Sequence, residues 1–102
     1  MNIQEVAQQV HMTKRAIKYY EEKGLLQVEK GANGYRVYTD EHVVILQRIQ
    51  VYRKLGMELS AIRRILLDPQ VEAHELRMLQ EQLQESMEQQ SRQMETIQLM
   101  LA

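Results

Sequence analysis

The last thirty-one residues, Glu72 to Ala102, contain neither glycine nor proline. No other feature of the chain narrows its possible folds as much. With nothing to break or cap a helix, the segment reads as one continuous rod, about 45 Å long at 1.5 Å per residue. Its apolar residues do not spread around that rod. Leu76, Leu79, Leu83, Met87, Met94, Ile97 and Leu101 recur at a spacing of roughly 3.5 residues, with Glu and Gln elsewhere. Gln90 stands in the same seam. Such a seam suits a coiled coil and cannot be covered by the small domain that precedes it. It needs a partner, and the simplest partner is a second copy of the chain. Gln90 then sets register rather than adding stability.

The preceding residues read as short helices around a hairpin. Asn2 with Glu5 three residues later resembles a capping box, and Ile3, Val6, Ala7 and Val10 share one helical face. His11 and Met12 form a break. Thr13 is a good N-cap for a second helix that runs to about Lys23 and ends at Gly24. At 100° per residue, Lys14, Arg15, Lys18 and Tyr19 fall on one side of this helix, and Ala16, Ile17 and Tyr20 on the other. The second face is built to pack, the first to meet negative charge. Two short helices joined by a tight turn make a helix-turn-helix.

Leu25 to Glu29 reads as a strand, Asn33-Gly34 as a tight turn with positive φ, and Tyr35 to Tyr38 as the return strand. The fold class expected is therefore mainly α: a winged helix-turn-helix with a small β-hairpin wing, over residues 1–70, followed by a long C-terminal coiled-coil helix for dimerisation, over 71–102. Between them, Thr39 caps a helix carrying Val43, Leu46 and Ile49, with Tyr52 and Leu55 extending the face to Gly56. Ser60 is expected to cap a last short helix carrying Ile62, Ile65 and Leu66, which Asp68-Pro69 stops.

The net charge of −1 hides an asymmetry. Residues 1–67 carry eleven Lys/Arg against seven Asp/Glu, and residues 68–102 carry two against seven. A basic front and an acidic, Gln-rich back suggest two jobs, with a polyanion as the partner of the first. No cysteine is present, which excludes disulfides and thiolate chemistry. His11, His42 and His74 are scattered, so no metal site and no cofactor is expected. No nucleophile, base and oxyanion set surrounds the acidic pairs near helix ends, so no catalytic residue is assigned. No apolar run reaches the length of a membrane span and no signal segment opens the chain, so the expected location is cytoplasmic.

"IQEVAQQVHMTKRAIKYYEEKGLL", "NGYRVY" and "RKLGMELSAIRRIL", in this order and spacing, resemble the N-terminal DNA-binding domain of the MerR family of bacterial transcription regulators. The resemblance covers residues 1 to about 67. It implies a homodimer joined by an antiparallel coiled coil, through Leu76, Leu79, Leu83, Met87, Gln90, Met94, Ile97 and Leu101. Each subunit would place a winged helix on half of a palindromic operator in double-stranded DNA within the bacterial nucleoid, distorting it so that RNA polymerase can engage the promoter. Carried over by position, Thr13 caps the recognition helix, and Lys14, Arg15, Lys18 and Tyr19 face DNA from it. Tyr35 and Arg36 act from the wing. Arg53, Lys54 and the Ser60 helix start lie near a second backbone contact. Two positions depart from the family pattern: His11, where Gly is usual in the turn, and Arg63, where Glu is frequent. Two other readings stay open, an architectural DNA-binding protein whose coil recruits other proteins, and an interaction module whose winged helix binds protein.

Overall fold

The computed structural model describes residues 1–102, divided into two compact units, Met1–Pro69 and Gln70–Ala102. The first unit contains α1 (Ile3–Val10), α2 (Lys14–Glu22), the antiparallel hairpin of β1 (Glu29–Lys30) and β2 (Arg36–Val37), α3 (Asp40–Lys54) and α4 (Leu59–Leu67). Its core gathers Val6 and Val10 of α1, Ile17 of α2, Leu25, Leu26 and Tyr38 from the connecting segments, Val43, Leu46, Ile49 and Tyr52 of α3, Met57, and Ala61, Ile62 and Ile65 of α4.

The start of α1 is a reciprocal cap. The Glu5 N–H donates to Asn2 Oδ1 at 2.9 Å, and the Asn2 N–H donates to Glu5 Oε1 at 3.2 Å, so Asn substitutes for the usual Ser or Thr. The end of α1 forces His11 into the left-handed region, φ 56° and ψ 45°. The Met12 N–H then donates back to Ala7 O at 3.1 Å, the closure of a Schellman-type helix end that glycine ordinarily occupies. Gln50 of α3 completes the turn by donating Nε2 to Val10 O at 2.8 Å.

The wing is shorter than the sequence suggests. Leu25 to Glu29 does not form a strand until Glu29. The Leu25 N–H donates to Tyr20 O, and Gly24, at φ 77°, donates to Glu21 O, both at 3.0 Å. This backbone is committed to ending α2, while Leu25 and Leu26 both turn inward, which an alternating strand cannot do. The return strand contracts from Tyr35–Tyr38 to Arg36–Val37, in register Glu29 with Val37 and Lys30 with Arg36. Tyr38 pairs instead with the chain start: its N–H donates to Met1 O, and Met1 N donates to Tyr38 O, each at 2.8 Å. In the turn, only Gly34 takes positive φ (81°). Asn33 serves through its side chain, whose Oδ1 accepts from the Tyr35 N–H at 3.1 Å. The loop is therefore a three-residue one, closed by Gly31 N–H donating to Tyr35 O at 2.7 Å.

Thr39 caps α3 as expected, and His42 supplies the reciprocal bond, its Nδ1 accepting from the Thr39 N–H at 3.0 Å. The buried face of α3 stops at Tyr52. Leu55, expected to extend it, is exposed, because α3 ends at Lys54 and the chain turns at Gly56, φ 83°. Met57 fills the core beyond that turn. Ser60 does not cap α4. The cap position is Glu58, which makes no side-chain capping bond, and Ser60 lies inside the first turn. Arg63 donates its Nη2 to Lys23 O, tying α4 to the end of α2. A 3₁₀ turn, Pro69–Val71, follows α4.

The second unit is a single helix, α5 (Glu72–Leu101). No helix of the chain is long and apolar enough to cross a membrane.

Candidate nucleic-acid interface

The candidate surface begins with how α2 is held. Thr13 Oγ1 accepts from the Ala16 N–H at 3.0 Å, which fixes the first turn and satisfies one of its unpaired donors. Ile17 is fully buried and anchors the inner face, with Ala16 and Tyr20 half-buried beside it. Lys14, Arg15 and Lys18 are exposed on the other side, and Tyr19 keeps 41% of its surface open. The short helix therefore presents its cations because its apolar side is clamped.

Tyr19 does not stand alone. Its ring lies 5.7 Å from that of Tyr20, and Lys23 Nζ sits 5.7 Å from the Tyr19 ring centroid. Lys23 thus joins the basic face, a residue the sequence reading left out although it follows Tyr19 at i+4 spacing. Lys30 is a second addition. It lines an open groove of about 700 Å³ together with Lys18 of α2, Tyr35 and Arg36 of the wing, and Asn2 and Glu5 of α1. Of the candidates on α2 only Lys18 lines this groove, where it meets both wing candidates; Thr13, Lys14, Arg15 and Tyr19 lie outside it. Tyr35, 75% exposed, stands at its edge.

Arg36 differs from the other cations. Its Nε donates to both carboxylate oxygens of Glu21 at 3.0 Å, so the wing is tied to α2 across 15 residues. The Glu21 carboxylate, by hydrogen bond and by charge, holds the Arg36 guanidinium above its ordinary range. Arg53 and Lys54, in the last turn of α3, lie outside the groove. Arg53 donates Nη1 to Met57 O at 3.2 Å, closing the end of its own helix, and Lys54 is exposed. No three His, Asp or Glu side chains gather as a metal ion would require.

On α5, Leu76 and Leu79 are half-buried, whereas Leu83, Met87, Met94, Ile97 and Leu101 are exposed, each by more than half. Gln90 is exposed among them.

Residues 1–68 match the family profile described as MerR HTH family regulatory protein. The HTH-type transcriptional regulator CueR of Salmonella typhi is 41% identical over 61 residues, which are 59% of this chain and 44% of that protein. The chain thus spans less than half the length of this relative. MtaN, the N-terminus of the Bacillus subtilis multidrug transporter activator, has the same fold with a TM-score of 0.88 at 24% identity, over 100% of this chain and 98% of that one. HiNmlR, a MerR family regulator lacking the sensor domain and solved bound to promoter DNA, gives a TM-score of 0.66 at 21% identity, over 90% and 74% of the two chains. At these identities the two structures establish likeness of fold alone. With its ordered helix-turn-helix, wing and second helix pair matched over residues 1–68, the chain belongs to the MerR family of helix-turn-helix regulatory proteins.

Proposed function

We propose that the chain is a sequence-specific DNA-binding transcription regulator that binds a palindromic promoter operator as a dimer and distorts it. The observation that carries this reading is the face of α2: three exposed cations and a half-open tyrosine on a helix whose opposite side is locked by Ile17. Lys14 and Lys18 neutralise phosphates and release counterions. Arg15, a planar fork, grips a guanine edge through two hydrogen bonds, which lysine cannot do. Tyr19 and Tyr35 donate their hydroxyls to phosphate oxygens and fix orientation. Arg36 acts from the wing with its charge largely offset by Glu21. Arg53 and Lys54 serve a second backbone contact. HiNmlR, of like fold, was solved bound to promoter DNA, which supports DNA as the partner.

The seam of α5 joins two copies as an antiparallel coiled coil, and RNA polymerase is the promoter partner. The reading assigns no catalysis. Electrophoretic mobility shift with duplex selected from a random pool tests it: Arg15→Ala loses selective binding, and an Arg15→Ala variant that keeps tight, selective binding removes the assigned role.

A further inference from the structure

On a straight helix the eight seam positions from Leu76 to Leu101 fall within an arc of about 80°, and most of their side chains are exposed on the single chain. Their spacing restricts what can cover them. Reversal about the point midway between Glu88 and Gln89 maps the seam onto itself. Leu76 falls on Leu101, Leu83 on Met94 and Met87 on Gln90, and Leu79 falls one residue from Ile97. We propose that α5 pairs with α5 of a second copy in this antiparallel register, its two-fold axis passing between residues 88 and 89, with the two Gln90 amides hydrogen-bonded across the axis. The proposal rests on the reading that α5 joins two copies, and adds where they meet.

Three observations select this arrangement. First, it uses the whole seam. A slip of one heptad in one direction leaves Leu76 and Leu79 past the end of the other helix, and a slip in the other direction leaves Leu101 past its start and Ile97 facing only the small Ala73. Second, it satisfies the one polar member. A buried amide without a partner is costly. Here the two Gln90 side chains lie three residues apart along the axis, about 4.5 Å of rise, and each offers both a carbonyl acceptor and an NH₂ donor. Third, charge disfavours the parallel alternative. Glu72 falls within the same arc as the seam, so parallel pairing stacks it on its own copy, whereas antiparallel pairing carries it past the end of the other helix and opposes the helix dipoles favourably. From residue 80 to residue 98 the seam is flanked by Gln80, Gln84, Ser86, Ser91, Gln93 and Gln98, and the charged flanking residues Glu75 and Arg77 stand only at its N-terminal end. Reversal sets Glu75 and Arg77 against Ala102 and Met100, so no charge pair fixes the register, which falls to the apolar layers and Gln90.

The chain has no cysteine, so introduced thiols report without background. Under mild oxidation of the full chain, a mixture of Leu83→Cys and Met94→Cys variants forms a covalent dimer, and neither variant does so alone. In this register residue 83 lies eleven residues from its own copy along the rod, roughly 16 Å, beyond the reach of a disulfide. Crosslinking by both variants, each alone, means parallel helices and overturns the orientation; crosslinking by one of them alone centres the antiparallel pair on that residue and overturns the register. A Leu83→Cys and Leu101→Cys mixture that links in place of the first mixture, or a dimer that links in neither, overturns the register and leaves the dimer standing. A monomer in sedimentation at working concentrations overturns both. With Gln90→Leu added, association tightens and the Leu83→Cys/Leu101→Cys link appears beside the first. An unchanged pattern and affinity would overturn the role of Gln90.

Discussion

Salt dependence separates the exposed cation Lys18 from Arg36, which a carboxylate already holds. Each phosphate contact contributes about 0.9 to the slope of log K against log salt. Lys18 is exposed, lines the groove beside the wing and enters no ion pair. A dimer has two such lysines, so Lys18→Ala lowers the magnitude of the slope by about 1.8. Between about 50 and 200 mM KCl, the affinity gap between wild type and variant therefore narrows roughly tenfold. Glu21→Gln has the opposite sign. Glu21 holds Arg36 through two contacts of 3.0 Å. Removing its charge frees a guanidinium in each subunit to meet phosphate, which steepens the slope by up to about 1.8 and strengthens binding at low salt. The assay is fluorescence anisotropy with a selected operator across the KCl series, with circular dichroism to establish that both variants fold. If Lys18→Ala weakens binding equally at every salt concentration, Lys18 makes no phosphate contact. If Glu21→Gln leaves the slope unchanged or shallower, the Arg36–Glu21 pair does not restrain the wing's contact with DNA.

Two further predictions concern stability. The Tyr38 hydroxyl is buried without a hydrogen-bond partner, an arrangement that costs about 1–3 kcal/mol. Tyr38→Phe is therefore expected to raise stability by about 1 kcal/mol, or Tm by about 4–8 °C for a domain of this size. Burial pushes the Tyr38 phenol up, Glu21 adds to the shift and Arg36 opposes it. A raised folded value means that this stability is complete below the ordinary tyrosine value near 10 and is lost as pH rises through the folded one. Urea unfolding from neutral pH to about pH 11 checks both points: the variant is more stable and shows a weaker alkaline decline, and a destabilised variant refutes the account. His11→Gly relieves the left-handed backbone at φ 56°. The relief of about 1–2 kcal/mol is partly offset by glycine's freedom in the unfolded chain, leaving a gain of about 0.5–1 kcal/mol, read as a higher urea midpoint.

Much of this protein was already determined by local chemistry that needs no fold to act. Asn2, Thr13 and Thr39 cap helices because a short polar side chain reaches back to a nearby N–H. The cationic and packing faces of α2 follow from helical periodicity alone. The long helix follows from the absence of any breaker after Pro69. What tertiary structure decided lies where two local preferences compete for one backbone or side chain. Leu25 would suit a strand, but its N–H is used to end α2 and its side chain is buried. Ser60 would cap a helix, but α4 starts earlier, at Leu59. Arg36 would meet DNA unencumbered, but the hairpin places it against Glu21, fifteen residues away in sequence. Periodicity and capping act over three or four residues, whereas these outcomes depend on which distant groups the closed core brings within hydrogen-bond reach.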